Sequence, residues 1–170
     1  MRVLMSGAVA GAALVVTLAG ASSTRASTPA SCTPSQLTVH LGAPRGTAGT
    51  LYSAVIFTNR GASCALWGVP TIQPVTARTR RALGPSARNL SIGMMPARHV
   101  IARGQSVSAA MGVVDTNNYP ARLCAARSAG GVVVSLGDFV HSRFVRRPLT
   151  VCTRRSSVTT RLLVSGTTGV

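Results

Sequence analysis

The aspartates and histidines limit the chemistry that this sequence could support. Both carboxylates, Asp115 and Asp138, fall in turn-like segments, where Asp commonly hydrogen-bonds the local backbone. A paired-carboxylate site would need both of them, and a Ser-His-Asp triad would need one of them with His40, His99 or His141. No serine lies in a nucleophile-elbow motif, and no phosphate-binding glycine loop is present. We therefore predict no catalytic residues and no cofactor.

The N-terminal 21 residues have the pattern of a secretory signal peptide. Met1-Arg2 is a short basic region, residues 3–19 are apolar, and Ala19-Gly20-Ala21 fits a small-x-small cleavage site. A membrane span is the alternative, but an apolar run of about 17 residues is at the lower limit for crossing a bilayer. We expect export to the cell envelope or medium, no transmembrane anchor after cleavage, and a flexible leader over residues 22–31.

Four cysteines follow the predicted cleavage site: Cys32, Cys64, Cys124 and Cys152. They are widely spaced, without the close pairs that a zinc site needs, so we predict no metal. An even number of cysteines behind an export signal is typical of disulfide bonds. Four cysteines allow three pairings. We predict Cys32–Cys64 and Cys124–Cys152, because each pair is nearest in sequence.

The charge of the chain is one-sided. All 18 basic residues are arginines, against two aspartates, for a formal charge of +16 that falls to +15 when Arg2 leaves with the signal. A charge of this size attracts anionic surfaces and polymers. The alternative to a functional charge is a solvated surface set by codon usage, because a GC-rich genome favours arginine over lysine. Codon usage would not explain the scarcity of acidic residues.

The arginines are concentrated in three runs. These are Arg78, Arg80 and Arg81, then Arg143, Arg146 and Arg147, then Arg154 and Arg155. The planar guanidinium group binds phosphate, sulfate or carboxylate through two hydrogen bonds, so we predict that these residues contact polyanions. The expected partners are anionic envelope polymers or lipid head groups. Specific nucleic-acid binding would need aromatic side chains among the arginines, and Phe144 alone is too few.

Short strands, and no amphipathic helix of ordinary length, predict an all-β fold. The predicted strands are residues 36–41, 51–58, 71–76, 89–92, 99–102, 106–115, 132–136, 139–145, 149–152 and 158–164. Pro74 places its strand at an edge or a bulge. Residues 121–129 could form one or two helical turns, which Gly130-Gly131 would end. Many short strands at regular spacing indicate a sandwich or a barrel over residues 32–164, followed by a frayed tail at 165–170.

Residues 49–70 form the unit around which the other strands are arranged. Residues 51–58 are rich in β-branched and aromatic side chains, and Asn59-Arg60-Gly61 has the composition of a turn. Cys64 and Trp67 follow, so we interpret the unit as hairpin-like. Trp67 and Tyr52 could stack on sugars, but a sandwich usually buries its tryptophan, and we place Trp67 in the core.

Motifs in this unit resemble a known family. Phe57-Thr58-Asn59, Gly61, Cys64, Leu66, Gly68 and Pro70 are similar to the core motif of a secreted actinobacterial four-cysteine domain, domain of unknown function 4232. Arg103-Gly104-Gln105 before an alternating strand is similar to a turn of that family. The resemblance extends from Cys32 to Val164 and implies an immunoglobulin-like β-sandwich of about 7–9 short strands, with no assigned activity. Val113 or Val114 stands where the family often has tryptophan, and the loop at 77–87 is peculiar to this chain.

These observations favour an exported, non-enzymatic binding or interaction module of the cell envelope or extracellular space. Two alternatives stay open: a hydrolase with an unrecognised active site, and a purely structural envelope component. Turnover of ester or glycoside substrates that is lost in Asp138→Ala would distinguish the hydrolase. Saturable binding without turnover would distinguish the module. The sequence leaves the oligomeric state and the identity of any ligand open.

Overall fold

The computed structural model describes residues 28–169, and the predicted signal peptide lies outside this range. The helical elements in this range are a 3-10 turn, Thr116–Asn118, and one α-helical turn, α1, Ala121–Cys124. The strands are β1 Leu37–Leu41, β2 Arg45–Thr47, β3 Thr50–Asn59, β4 Cys64–Leu66, β5 Thr71–Val75, β6 Arg88–Asn89, β7 His99–Ile101, β8 Ser106–Val114, β9 Ala126–Leu136, β10 Val140–Cys152, β11 Val158–Thr160 and β12 Val164–Ser165.

The strands form three sheets. Sheet one has the order β1-β3-β8-β11-β6, with β2 added to β3 and β12 added to β8. Sheet two has the order β10-β9-β5, and β4 pairs with β7 in a two-stranded ribbon. The all-β prediction is confirmed, and the multiple sheets are consistent with a sandwich; the immunoglobulin-like topology stays a prediction. The described strands exceed the expected 7–9, in part because β2 and β12 are too short for a two-residue period to reveal.

One buried cluster joins the side chains of the two larger sheets. Sheet one supplies alternate residues of β3 and β8, and sheet two supplies alternate residues of β5 and β9. The fully or almost fully buried members include Val55, Phe57, Val107, Met111, Ile72, Val132, Val134 and Leu136. Burying each such side chain contributes about 1.5–3 kcal/mol, so this cluster stabilises the stacking of the sheets.

Asn59 explains why the predicted hairpin is wrong. The side chain is fully buried at the end of β3, and its Nδ2 donates to Ala62 O (2.8 Å) and Ile101 O (3.0 Å). Its Oδ1 accepts from Gly61 N at 2.8 Å. These bonds turn the chain out of sheet one and towards β7, so β4 pairs with β7 and not with β3.

The region around Gly130-Gly131 also differs from the prediction. The helix is limited to α1 because Ala125 adopts a left-handed conformation, with φ of 49° and ψ of 63°. Strand β9 then passes through both glycines, and a side chain at Gly130 would collide with Ala77. The glycines therefore allow close packing on a strand and do not end a helix. Strand β10 is continuous across two register irregularities, where two separate strands were predicted.

Both ends of the described chain are held more firmly than expected. In the predicted flexible leader, Ala30 O accepts from Ala65 N at 2.8 Å, so the end of the leader is fastened to β4. The predicted frayed tail is wrong for residues 165–169. Ser165 pairs with Val107, and Gly169 N donates to Ser108 Oγ at 2.9 Å, so this tail lies along β8.

The predicted disulfide bonds, Cys32–Cys64 and Cys124–Cys152, both form. The first joins the segment before β1 to β4, and the second joins the end of α1 to the end of β10. They span 32 and 28 residues. Closing loops of this size stabilises a fold by about 3–4 kcal/mol in the chain-entropy account.

Candidate functional site

The outer face of sheet two carries part of the predicted arginine set. Phe144 and Arg146 of β10 pair with Val133 and Gly131 of β9, out of phase with the buried Val132. They therefore project from the side of the sheet that faces away from the core. Arg146 is exposed, and Phe144 is half-buried.

The loop at 76–82 folds back over this face. Thr76 N donates to Arg81 O at 2.9 Å, and the hydroxyls of Thr76 and Thr79 are 2.8 Å apart. Within the loop Arg80 adopts a left-handed conformation, with φ of 53°. Its guanidinium carbon lies 4.8 Å from the centre of the Phe144 ring. The loop can approach this closely because Gly130 has no side chain beneath Ala77.

A shallow groove of about 340 Å³ lies between the loop and the sheet. Arg80 and Phe144 form part of its wall, with Gln73 and Ser142 as polar neighbours. A guanidinium that stacks on the face of an aromatic ring keeps its N–H groups free to donate hydrogen bonds to an anion. We call this surface the basic face and define it by the exposed residues Arg78, Arg80, Arg81 and Arg146.

The other arginines of the second run connect the two sheets. Arg143 Nη2 donates to Pro34 O at 3.2 Å. Arg147 Nη2 donates to Leu41 O (3.3 Å) and to Gly42 O (2.9 Å). These bonds join β10, at the edge of sheet two, to the segment around β1, at the edge of sheet one. Arg143 and Arg147 therefore have a structural function that their charge alone does not indicate.

The third run lies beside the second disulfide. Arg154 Nη1 donates to Arg122 O at 2.8 Å. The guanidinium carbon of Arg155 lies 4.1 Å from the centre of the Tyr119 ring. The structure thus does not gather all the predicted arginines into one site. It assigns backbone or aromatic partners to the third run and leaves the basic face, of which Arg80 lines the groove.

Sequence reasoning missed the contacts of Arg98 and placed Trp67 too deep. Trp67 is half-buried at the margin of the core, and its ring meets Phe139 edge-on, with centres 4.7 Å apart. The guanidinium carbon of Arg98 lies 4.6 Å from the centre of the Trp67 ring, and its Nη2 donates to Pro29 O at 2.7 Å. Arg98 stands outside every arginine run, so no pattern in the sequence distinguishes it.

The residues considered for catalysis have local structural contacts or are exposed. Asp115 Oδ1 accepts from Asn117 N at 2.9 Å and caps the 3-10 turn. His99 Nε2 lies 3.0 Å from Leu163 O, and His40, Asp138 and His141 are exposed. Within residues 28–169, no group of three or more His, Cys or Asp side chains is placed to hold a metal ion.

The fold defines a class of protein: an all-β domain of several sheets with two disulfide bonds. Residues 32–166 match the Domain of unknown function (DUF4232), and the chain belongs to this family. No curated protein and no solved structure is detectably similar to this chain. None of the helices in the described range is long and apolar enough to cross a membrane.

Proposed function

We propose that this protein is an exported, non-enzymatic binding module of the cell envelope or extracellular space, and that it contacts anionic polymers or surfaces through the basic face. The observation that carries the proposal is the placement of Arg80 over Phe144 beside Arg146. Two disulfide bonds support the exported location, because such bonds persist in oxidising compartments.

Pre-organisation is the physical argument for the basic face. A long arginine side chain loses rotamer freedom when it grips an anion, and this loss opposes binding. The Phe144 ring and the loop at 76–82 already restrict Arg80, so less freedom is lost on contact. Arg78 and Arg81 on the same loop, and Arg146 on the sheet, add positive charge nearby.

The ligand class follows from the chemistry of these side chains. Guanidinium groups bind phosphate, sulfate and carboxylate oxygens in pairs, without reading a base or a sugar sequence. With two aspartates in the whole chain, few carboxylates compete for the arginines. Anionic envelope polymers and lipid head groups share this chemistry. Nucleic acid should bind in vitro for the same electrostatic reason.

A salt gradient on a sulfated polysaccharide matrix tests the proposal. The site variant changes Arg78, Arg80 and Arg81 to Ser, and the matched control changes Arg88, Arg103 and Arg161 to Ser, which removes the same charge from sheet one and its turns. Each lost phosphate or sulfate contact should reduce the slope of log affinity against log salt by about 0.9. We expect the site variant to lose about two to three contacts and the control fewer.

Equal elution of the two variants would show that net charge alone sets the affinity, which would contradict a site. Release of the wild type below physiological salt would contradict polyanion binding altogether. The same matrix coated with anionic lipid, in place of the polysaccharide, distinguishes head groups from polymers. Turnover of ester or glycoside substrates by the wild type, lost in Asp138→Ala, would instead support the hydrolase alternative.

A further inference from the structure

A second cavity opens between sheet one and β10, away from the basic face. Its volume is about 610 Å³, within the range of small-molecule sites. Sheet one contributes Leu51, Met111 and Val113 to its walls, and β10 contributes Pro148 and Leu149. Met111 is buried and forms the floor, whereas Leu51 is 55% exposed and lies at the rim. These five side chains therefore form an apolar strip from floor to rim.

Ser53 is a polar side chain on an apolar floor. It lies two residues before the buried Val55 on the same face of β3, it lines the cavity, and it is only 7% exposed. Thr160 Oγ1 is the only buried side-chain oxygen or nitrogen without a partner among residues 28–169, so the Ser53 hydroxyl is not a buried orphan. It can donate a hydrogen bond to a ligand in the cavity.

Arg147 approaches the same end of the cavity. Gly42 N donates to Ala54 O at 2.8 Å, next to Ser53, while Gly42 O accepts from Arg147 Nη2 at 2.9 Å. Ser53 and Arg147 both line the cavity, and each is next to one residue of the Gly42–Ala54 backbone bond at the end of β1. The bonds to the backbone hold the guanidinium in position before any ligand arrives. A hydroxyl donor and a fixed cation thus both line the cavity beside the bonded backbone of Gly42 and Ala54.

Asp115 marks the opposite end. It also lines the cavity, and its backbone N donates to Gly49 O at 2.8 Å, where β3 begins. Ser53 pairs with Met111, four residues before Asp115 along β8. At the rise of a strand this separation is about 13 Å. The cavity is thus positive at one end, apolar in the middle and negative at the other end.

We propose that this cavity binds a single-chain aliphatic carboxylate of medium length. The carboxylate accepts hydrogen bonds from Ser53 and Arg147, and the chain lies along Met111, Val113 and Leu149. The tail ends near Asp115, which keeps a second anion away from that end. A span of about 13 Å suits a chain of about ten carbons. This site is separate from the basic face and does not depend on it.

Calorimetric titration of the purified, disulfide-bonded protein with octanoate, decanoate and dodecanoate tests the proposal. Each added CH₂ should improve affinity by about fourfold while the chain still gains buried surface. We expect the gain to stop near ten carbons. Decanoate should bind at least about tenfold more tightly than methyl decanoate or 1-decanol, since only the acid carries the charge that Arg147 recognises.

Variants assign the binding to the cavity. Thr150→Trp places a large ring on its lining and should reduce decanoate affinity by about tenfold or more. His141→Trp, an exposed residue of the same strand, is the matched control and should leave affinity unchanged. Ser53→Ala should reduce affinity by about fivefold, the value of one hydrogen bond. Arg147→Met should abolish the preference for the acid over its ester.

Asp115→Asn determines the orientation of the ligand. Asn also caps the 3-10 turn, so the fold should persist. The proposed orientation predicts a change of less than about twofold, because screening is nearly complete at this distance. A gain of about tenfold would place the carboxylate at the wrong end and overturn the proposal. Equal affinity for the acid and the ester, or no saturable binding, would also overturn it. If Arg147→Met does not fold, the wild-type comparison of acid and ester is sufficient.

Discussion

Asn59 is the residue on which two distant parts of the family motif depend. Its side chain bonds Gly61, Ala62 and Ile101, and its backbone O accepts from Gly104 N at 2.7 Å while its N donates to Gln105 O at 3.0 Å. One buried amide thus connects the end of β3 with the turn before β8. These motif residues thus define a junction of the scaffold.

Asn59→Asp should lower the free energy of unfolding by about 3 kcal/mol, because a carboxylate oxygen would replace the Nδ2 donor and face two carbonyl oxygens. Asn118→Asp is the control. Asn118 is exposed, and its Nδ2 donates to Gly49 O at 3.2 Å, so its loss should cost about 0.5 kcal/mol. Urea unfolding of both variants is the measurement. Equal urea midpoints for the two variants would show that the buried bonds of Asn59 stabilise the fold no more than the exposed bond of Asn118.

Threonine-to-valine substitutions at two positions of sheet one should change the stability in opposite directions. Thr160 Oγ1 is fully buried without a partner among the described residues, whereas Thr58 Oγ1 lies 2.8 Å from Ser106 Oγ. Thr160→Val should therefore raise the free energy of unfolding by about 1 kcal/mol, and Thr58→Val should lower it by a similar amount. Thermal and urea unfolding of the pair provide the comparison. Destabilisation by Thr160→Val would mean that its hydroxyl has a partner.

At the scale of elements, the loop at 76–82 and strand β9 act together. Gly130 lies under Ala77, and Gly131 lies against the Phe144 ring that supports Arg80. The glycine pair in β9 therefore determines where the arginines of the loop are placed. A short loop with little regular structure acquires a defined position from the strand beneath it.

Gly130→Ala should displace the loop and weaken binding to the sulfated matrix, although no charge is removed. The elution salt should shift in the same direction as for the triple arginine variant, with a smaller amplitude. Gly42→Ala is the matched control, because a side chain there meets Ala54 and Ile56 at 3.6 Å, an ordinary contact distance. If Gly130→Ala elutes with the wild type while remaining folded, the position of the loop has no influence on binding.

For the whole molecule, charge opposes compaction. With 16 arginines and two aspartates among residues 28–169, most long-range interactions between charges in the folded domain are repulsive. We expect the Tm to rise as NaCl increases from about 20 mM to about 300 mM, because screening weakens repulsion more than it weakens close contacts. Differential scanning calorimetry at the two salt concentrations checks this. A falling Tm would indicate that close attractive contacts dominate the electrostatics.

Local chemistry determined much of the fold. Alternation identified β1 and β8, β-branched and aromatic composition identified β3, and Pro74 identified the edge position of β5 in sheet two. The nearest-neighbour pairing of Cys32–Cys64 and Cys124–Cys152 is confirmed. These features depend on side-chain periodicity, on residue type or on separation along the sequence, and all three can be read along one chain.

Only the tertiary structure decided which residues meet. Arg80 and Phe144, which are in contact, and Ser53 and Arg147, which line one cavity, lie far apart in sequence and belong to different sheets or loops, so no periodicity relates them. Pairing of β4 with β7 likewise depends on one buried amide, Asn59, which bonds Ile101 of β7 across 42 residues of sequence. Residue types and spacing therefore predicted a disulfide-bonded, arginine-rich β-domain. The groove, the cavity and the division of the arginines between structural and exposed positions came from packing, because long-range contacts depend on how the sheets stack.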